Sequence, residues 1–261
     1  MRKTILATLM ASFLVLTSCA TIKTRPQAES KDKGQDFVFY FEQGTSSLKQ
    51  GDYGTAVGQF DKAILLNPNS EKAHNLLGIA YINLKNYSAA ERQFQKAVRL
   101  NPQYFEAYNN LGGVYFLRQQ FEKAEEMFRK ALAVGPDSIP ANYSLGTLLL
   151  LQGRIEEGLR YLTRGIELDP DYLETHKTLT VDVRTSGSDQ SVLYFAYAKI
   201  YAARGDVEKT LDFFQKAKAT GFRDWGRVSS EKEFEKVRED PRIRDFLRSI
   251  VPFDQILSCV I

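Results

Sequence analysis

Residues that could carry out catalysis or bind a metal are few in this chain. Its 261 residues include two histidines, His74 and His176, and two cysteines, Cys19 and Cys259. A general base needs a partner that positions it, and a zinc site needs several nitrogen or sulfur ligands at short spacings. Neither histidine has such a pattern around it, and the common catalytic signatures, including G-x-S-x-G, H-E-x-x-H and a glycine-rich phosphate loop, are absent. The sequence therefore predicts no enzyme, no metal site and no cofactor.

The N-terminal segment places one reactive residue, Cys19, in a recognisable setting. Two basic residues precede an apolar run at 5–16. That run is too short to span a bilayer comfortably and is typical of the core of a secretory signal peptide. The sequence then reads LTSC at 16–19, which resembles the lipobox of bacterial lipoproteins. The resemblance implies a signal peptide at 1–18 and a diacylglyceryl group on the thiol of Cys19, and a plain secretory signal with a chance cysteine is the alternative.

The lipoprotein resemblance also implies a location. Ala20 follows the cysteine, and by the sorting rule of enteric lipoproteins a residue other than Asp favours the outer membrane, facing the periplasm. Acylation of Cys19 would leave Cys259 without a partner for an internal disulfide. Residues 19–36 are polar and lack aromatic side chains, so we predict that the lipidated cysteine and a flexible tether occupy them.

The net charge argues against a nucleic-acid partner. The formal charge is +3, and removal of Arg2 and Lys3 with the signal peptide leaves 3 − 2 = +1. Domains that bind DNA or RNA carry a basic patch or stripe, and no lasting stripe of this kind is present. We therefore predict no binding to nucleic acid, and contact with the membrane through the lipid on Cys19.

A period of 34 residues runs through the middle of the chain, where prolines recur as Pro68, Pro102, Pro136 and Pro170. Glycines recur at the same spacing before each proline, and aromatic residues and alanines recur in the first three copies, whereas the fourth copy has Ile155, Gly158 and Leu162 at those positions. This pattern resembles the tetratricopeptide repeat, in which each copy is a helical hairpin that buries its apolar faces by stacking on further copies. The resemblance implies an all-α fold, a right-handed α-solenoid. The four repeats are 37–70, 71–104, 105–138 and 139–172.

Within each repeat, a glycine is predicted to lie where the two helices of the hairpin touch. A glycine inside a helix is less favourable than alanine by about 1 kcal/mol, so its recurrence indicates that another helix comes close. We predict that Gly112 in the third repeat contacts Ala124 and that Phe128 fills the space beyond.

The repeat register breaks after the fourth copy. Residues 173–190 are rich in threonine and fit no repeat position, which predicts an irregular connector. The segment has room for one extra helix, and alternating apolar residues at 179–183 also permit a short strand, which is less favoured. Residues 191–224 keep several repeat positions and are predicted to form a degenerate fifth repeat. Residues 225–261 resemble the tail that closes many tetratricopeptide arrays. This implies C-terminal capping helices, in which Trp225 is expected to pack.

The first helix of each hairpin lines the concave side of such an array. By resemblance to known repeats, we predict an apolar groove that holds the side chains of a protein or peptide partner, while asparagine amides hold its backbone. For any one apolar position, the alternative is a contact with a neighbouring hairpin. Phe195 and Lys199 are expected to continue the stripe in the fifth repeat. The predicted groove residues are Phe41, Asn75, Ile79, Ile82, Asn109, Phe116, Tyr143 and Thr147.

A lipobox followed by a tetratricopeptide array resembles the architecture of the type IV pilus pilotin lipoproteins, which help secretin subunits to assemble in the outer membrane. The resemblance implies a non-catalytic scaffold or assembly chaperone on the periplasmic side of that membrane. The alternative is a periplasmic adaptor that docks proteases or cell-wall hydrolases, as another group of lipoproteins with these repeats does.

Overall fold

The computed structural model describes residues 27–172 and 188–250, with side chains at 34–172 and 190–250. Every regular element in those ranges is helical, so the all-α prediction is confirmed. The helices are α1 (Gln27–Lys49), α2 (Tyr53–Leu66), α3 (Glu71–Asn83), α4 (Tyr87–Leu100), α5 (Phe105–Leu117), α6 (Phe121–Val134), α7 (Ile139–Leu151), α8 (Ile155–Leu168), α9 (Ser188–Arg204), α10 (Val207–Ala219), α11 (Arg227–Ser230) and α12 (Pro241–Arg248), with a short 3₁₀ helix at Lys232–Phe234 between the last two.

Successive helices pair as hairpins, α1 with α2, α3 with α4, α5 with α6, α7 with α8 and α9 with α10, and the first four hairpins stack in chain order. A polar residue begins many of these helices. Each such side chain accepts a hydrogen bond from the backbone N–H three residues further on, which satisfies one of the free donors of the first turn. The capping residues are Asp52, Ser70, Asn86, Ser138 and Asp206.

The turn inside each hairpin contains one residue in the left-handed region of backbone conformation. Gly51, Gly153 and Gly205 adopt it in the first, fourth and fifth hairpins. Lys85 and Gln119 adopt it in the second and third, with φ of 59° and 58°. Glycine takes this conformation without steric cost, whereas other residues enter it rarely. The fifth hairpin therefore keeps the turn of the earlier copies although its sequence has diverged.

Glycines on the first helices lie directly beneath a large side chain of the second helix. A Cβ atom at Gly78 would be 2.6 Å from Cε1 of Phe94, and one at Gly112 would be 2.6 Å from Cδ1 of Phe128. Both phenylalanines are fully buried. The prediction that Gly112 contacts Ala124 is confirmed, because the carbonyl oxygen of Ala124 lies 3.2 Å from the same Cβ position. The phenylalanine ring is itself the closest contact.

Two apolar clusters share helix α7. One cluster extends from Leu48 in α1 to Leu149, and the other begins at Tyr143 and extends to Ile243 in α12. Every residue from 141 to 150 is buried. A helix buried around its whole circumference must be covered on all sides, so α7 is a central element rather than one wall of an open groove.

The C-terminal residues cover the end of the array, as predicted. Trp225 is buried, and its Nε1–H donates to the backbone oxygen of Phe222 at 3.1 Å. Phe234, Val237 and Ile243 are fully buried in the same cluster. These side chains supply the apolar cover that a sixth hairpin would otherwise provide.

The same cap also encloses two residues that were expected to line the groove. The ring of Phe195 stacks on Phe222 with centroids 4.1 Å apart. The ammonium group of Lys199 is buried and lies 3.0 Å from a carboxylate oxygen of Glu231 and 3.6 Å from one of Glu233. The prediction that Phe195 and Lys199 continue an open stripe is therefore wrong, because the cap packs over both.

Two predicted boundaries are also wrong. Helix α1 begins at Gln27, so the predicted flexible tether is helical over 27–36. Extending a helix that already exists avoids the cost of nucleation. Helix α9 begins at Ser188, so the last three residues of the predicted irregular connector are helical.

Several other predictions fall outside the described residues. These are the signal peptide, Cys19, the connector at 173–187 with its alternative strand, and the chain from residue 251 onward. None of the helices within the described ranges combines the length and apolar character that a membrane span needs.

Replacing two glycines with alanine should have opposite effects on stability. Gly112→Ala places a methyl group against the ring of Phe128, so we expect the free energy of unfolding to fall by about 1–3 kcal/mol through overpacking. Gly58 lies within α2 and has no atom within 4 Å of its Cβ position. Gly58→Ala should therefore raise the free energy of unfolding by about 0.5–1 kcal/mol.

Urea denaturation followed by circular dichroism measures both changes. A Gly112→Ala protein as stable as the wild type would show that the ring can move aside without cost. A destabilised Gly58→Ala protein would show that α2 is packed more tightly than the structure describes.

Candidate protein-interaction surface

Most of the predicted groove residues are not open to a partner. Six of the eight expose between 2% and 8% of their surface. Phe41 and Ile82 are half-buried. The expectation of a continuous exposed stripe along four repeats is therefore wrong, and the alternative, contact with neighbouring hairpins, describes these positions better. The six buried residues are Asn75, Ile79, Asn109, Phe116, Tyr143 and Thr147.

The asparagines belong to a polar seam between the second and third hairpins. The Nδ2 group of Asn110 donates to Oδ1 of Asn75 at 2.9 Å, which joins α5 to α3. Burial raises the pKa of Tyr104 to about 12, against the opposing effect of a hydrogen bond from Asn75. Asn109 is also buried, and its Oδ1 has no hydrogen-bond partner among the described residues. Asn75 therefore uses its amide to hold two hairpins together rather than to face a ligand.

Tyr143 and Thr147 belong to the junction between the fourth and fifth hairpins. The ring of Tyr143 stacks on Tyr172 with centroids 5.3 Å apart and lies 6.2 Å from the ring of Tyr197. Burial raises the pKa of both Tyr143 and Tyr197. Thr147 hydrogen-bonds to the hydroxyl group of Tyr197. Tyr143 and Thr147 are therefore packing residues, and neither is open to a partner.

An open groove remains on the first hairpin. A cavity of about 320 Å³ lies along α1 and is bounded by side chains from three successive turns. Phe41 forms its apolar part and packs edge-on against Phe60 of α2, with centroids 6.0 Å apart. The other lining residues are polar, and the full lining is Phe41, Glu42, Thr45, Ser46 and Lys49.

A second, larger cleft separates α8 from the cap. Its volume is about 490 Å³, and Glu233 forms the side contributed by the cap. The α8 side carries both signs of charge, including Arg160 and Arg164. Arg164 already pairs with Asp137 at 2.7 Å. With mixed charges that partly neutralise one another, this cleft indicates no particular ligand.

The outer face carries paired charges. Arg129 of α6 lies 2.7 Å from Glu125 and 2.7 Å from Glu157 of α8, and Arg154 reaches the same two glutamates. Hydrogen bonds from Arg129 and Arg154 hold the pKa of Glu157 below its ordinary value. Exposed pairs of this kind add little stability individually.

His74 has a structural role. Its Nδ1 lies 2.7 Å from Oε1 of Gln93 in α4, and its Nε2 lies 3.1 Å from the backbone oxygen of Pro68. Both ring nitrogens are thus engaged in linking α3 to its neighbours. Within 27–172 and 188–250, no three residues among His, Cys, Asp and Glu form a group that could hold a metal ion.

The polar residues of the open groove are ones that sequence reasoning missed. Glu42, Ser46 and Lys49 are exposed. Ala80, which is equivalent to Ser46 in the second repeat, and Asn110, which is equivalent to Glu42 in the third repeat, are both buried. The signal was present in the repeat alignment. A charged or hydroxyl residue in the first copy, where later copies have an apolar or buried residue, marks a face without a neighbouring hairpin.

Substitutions at Tyr143 distinguish a packing role from a binding role. Tyr143→Ala should lower the free energy of unfolding by about 3–5 kcal/mol, as expected for removal of a buried aromatic ring. Tyr143→Phe should cause no loss, because the hydroxyl group is buried and has no hydrogen-bond partner in the described part of the chain. Thermal unfolding of both variants tests this, and a stable Tyr143→Ala protein would restore the binding interpretation.

Solved structures with a similar fold are known. The structure titled "Functional Characterization of Pseudomonas Aeruginosa pilF" matches with a TM-score of 0.56 at 16% identity, over 84% of this chain and 90% of that chain. A crystal structure of MamA protein matches with a TM-score of 0.49 at 19% identity, over 76% and 97% of the two chains. YrrB, described as a TPR protein with an unusual peptide-binding site, matches at 0.48 and 19%, over 74% and 91%. At these identities the likeness concerns the fold alone.

Family models give the firmer assignment. One tetratricopeptide repeat model matches residues 41–93 and 76–139, and another matches 115–180. A search of curated protein sequences returned no match. The matched residues span 41–180, which is more than half of the 261 residues, and they coincide with the stacked hairpins α1 to α8. The chain belongs to the tetratricopeptide repeat family.

Proposed function

We propose that this protein is a non-catalytic scaffold or assembly chaperone, held by a lipid on Cys19 at the periplasmic face of a bacterial outer membrane. The observation that carries the interaction role is the array itself. The apolar residues of the stacked hairpins are buried against one another, and a preformed groove remains open along α1. A preformed surface loses little conformational freedom on binding, which favours association with a partner protein.

The chain ahead of the array supports attachment at one end. The lipobox-like LTSC motif ends at Cys19, and α1 begins at Gln27. Seven residues therefore separate the proposed lipid from a helix that continues into the first hairpin. A tether of this length spans at most about 25 Å when fully extended, so the first hairpin, with its open groove, is the part of the array held nearest to the membrane.

The proposed client is a subunit of an outer-membrane machine, such as the secretin of a type IV pilus. This assignment rests on the architecture of a lipobox followed by a repeat array. A soluble protease or cell-wall hydrolase as the captured partner would instead identify the protein as a periplasmic adaptor.

Membrane attachment should depend on a single sulfur atom. Cys19→Ala removes the thiol that would receive the diacylglyceryl group. Stable anchoring in a membrane requires more than one acyl chain. We expect this variant to lose labelling by radioactive fatty acid and to leave the membrane fraction. Cys259→Ala is the matched control and should remain attached. Retention of the Cys19→Ala protein after a high-salt wash would refute the lipid anchor.

Partner capture should occur from the inner face of the array. Photo-crosslinking residues placed at Phe41 and Ile82, which are half-buried at predicted groove positions, should capture one envelope protein in intact cells. The same crosslinker at Glu126 on the outer face is the control, since this exposed residue pairs with Lys130 at 2.7 Å. Capture from Glu126 alone would place the binding surface on the opposite side, and capture from none of the three would contradict the scaffold role.

A further inference from the structure

The outer edge of α1 differs from the same face of the later first helices. In α3, α5 and α7, the residues at one repeat position are Ala73, Ala107 and Ala141, each 0% exposed. In α1 that position holds Phe39, which is 56% exposed. Asn110, three residues after Ala107, bonds across to the preceding hairpin. This side of a first helix therefore faces the preceding hairpin, and on α1 no described hairpin covers it.

A single ridge of exposed side chains runs along this uncovered edge. Phe39, Glu42, Ser46 and Lys49 are spaced by three, four and three residues, so they lie on one face of the helix. The equivalents of Ser46 in the next three hairpins are the fully buried residues Ala80, Val114 and Leu148. A solenoid normally ends in a polar face, and Glu42, Ser46 and Lys49 fit that rule, whereas an exposed phenylalanine does not.

The charges on the ridge are self-complementary. Glu42 and Lys49 stand seven residues apart, and neither forms an ion pair with another described residue. If two copies of α1 pack antiparallel about a twofold axis between Thr45 and Ser46, Glu42 of one copy lies opposite Lys49 of the other. The symmetry makes this contact twice. The small side chain of Ser46 lies at the centre, where two helices must approach most closely.

We propose that this edge of α1 is a homodimer interface, in which two chains pair through the ridge formed by Phe39, Glu42, Ser46 and Lys49. In this register Phe39 lies opposite the turn that follows α1 in the second copy. Burying its exposed surface supplies the apolar contact, and the paired charges fix the register.

The chemistry of the ridge favours a second copy over a lipid surface. A glutamate near the middle of the contact face is unfavourable against an anionic membrane. Alternating charges along a single helix are instead matched by the same helix reversed. The inference does not depend on acylation of Cys19 or on the identity of a client protein.

Sedimentation equilibrium of the full chain in density-matched mild detergent tests the proposal, over a series of protein concentrations. We expect a protein mass twice that of the chain. Glu42→Lys and Lys49→Glu should each shift the mass to that of a monomer, because like charges then face each other at two places. The double reversal Glu42→Lys with Lys49→Glu should restore the dimer.

Phe39→Ala should weaken the dimer without unfolding the chain, since alanine is the residue used at the equivalent position of the next three hairpins. Leu65→Ala is the matched control. Leu65 is also an exposed apolar residue but lies on α2, outside the ridge, so its removal should leave the dimer unchanged. Circular dichroism verifies that each variant remains folded.

Four results would overturn the proposal. One is a wild-type chain that stays monomeric at every concentration. Another is a double charge reversal that stays monomeric while folded. The third is a dimer that persists in both single reversals, which would place the contact on another surface. Loss of vesicle binding by Phe39→Ala with no change in mass would assign the ridge to lipid and would also overturn the homodimer.

Discussion

Close approach between the two helices of each hairpin is the constraint on which this fold depends. The missing side chain at Gly78 or Gly112 admits the ring of Phe94 or Phe128 at a distance that no Cβ atom could tolerate. That ring then fills the interior of the hairpin. In the fourth hairpin, Leu162 takes the place of the ring over Gly146. Because each of the first four hairpins is closed in this way, its remaining apolar faces can be buried only against neighbouring hairpins, which produces the array.

Stacking has a second effect, because it closes much of the surface that such arrays offer to partners. Asn75 bonds to Asn110 of the next hairpin, and Tyr143 packs against Tyr197 of the fifth. Both residues stand at positions that would be open if the hairpins were further apart. An exposed surface remains at the first hairpin, where the groove along α1 is bounded in part by the ridge residues Glu42, Ser46 and Lys49.

The sequence predicted the hairpins well because the same packing problem recurs every 34 residues, and the first three copies each keep a glycine, an aromatic residue and an alanine in register. Exposure could not be predicted in the same way. Periodicity tells which face of a helix a residue occupies, but the distance to the next hairpin decides whether that face is open. Tyr143 illustrates this, since its cover comes from Tyr172 and from a fifth hairpin beyond a connector without repeat pattern. The helical extension from Gln27 could not be predicted from composition, because a polar segment without aromatic residues is typical of a flexible tether.

Helix α7 contributes to both apolar clusters, which changes how the two ends of the molecule depend on each other. In a simple repeat array, each repeat contacts only its nearest neighbours, and the two ends can unfold independently. Here loss of the C-terminal cluster would strip one face of a helix whose other face holds the N-terminal cluster together. The two clusters should therefore unfold cooperatively rather than one hairpin at a time, because both depend on α7. A substitution that destabilises the cap should also destabilise the first four hairpins.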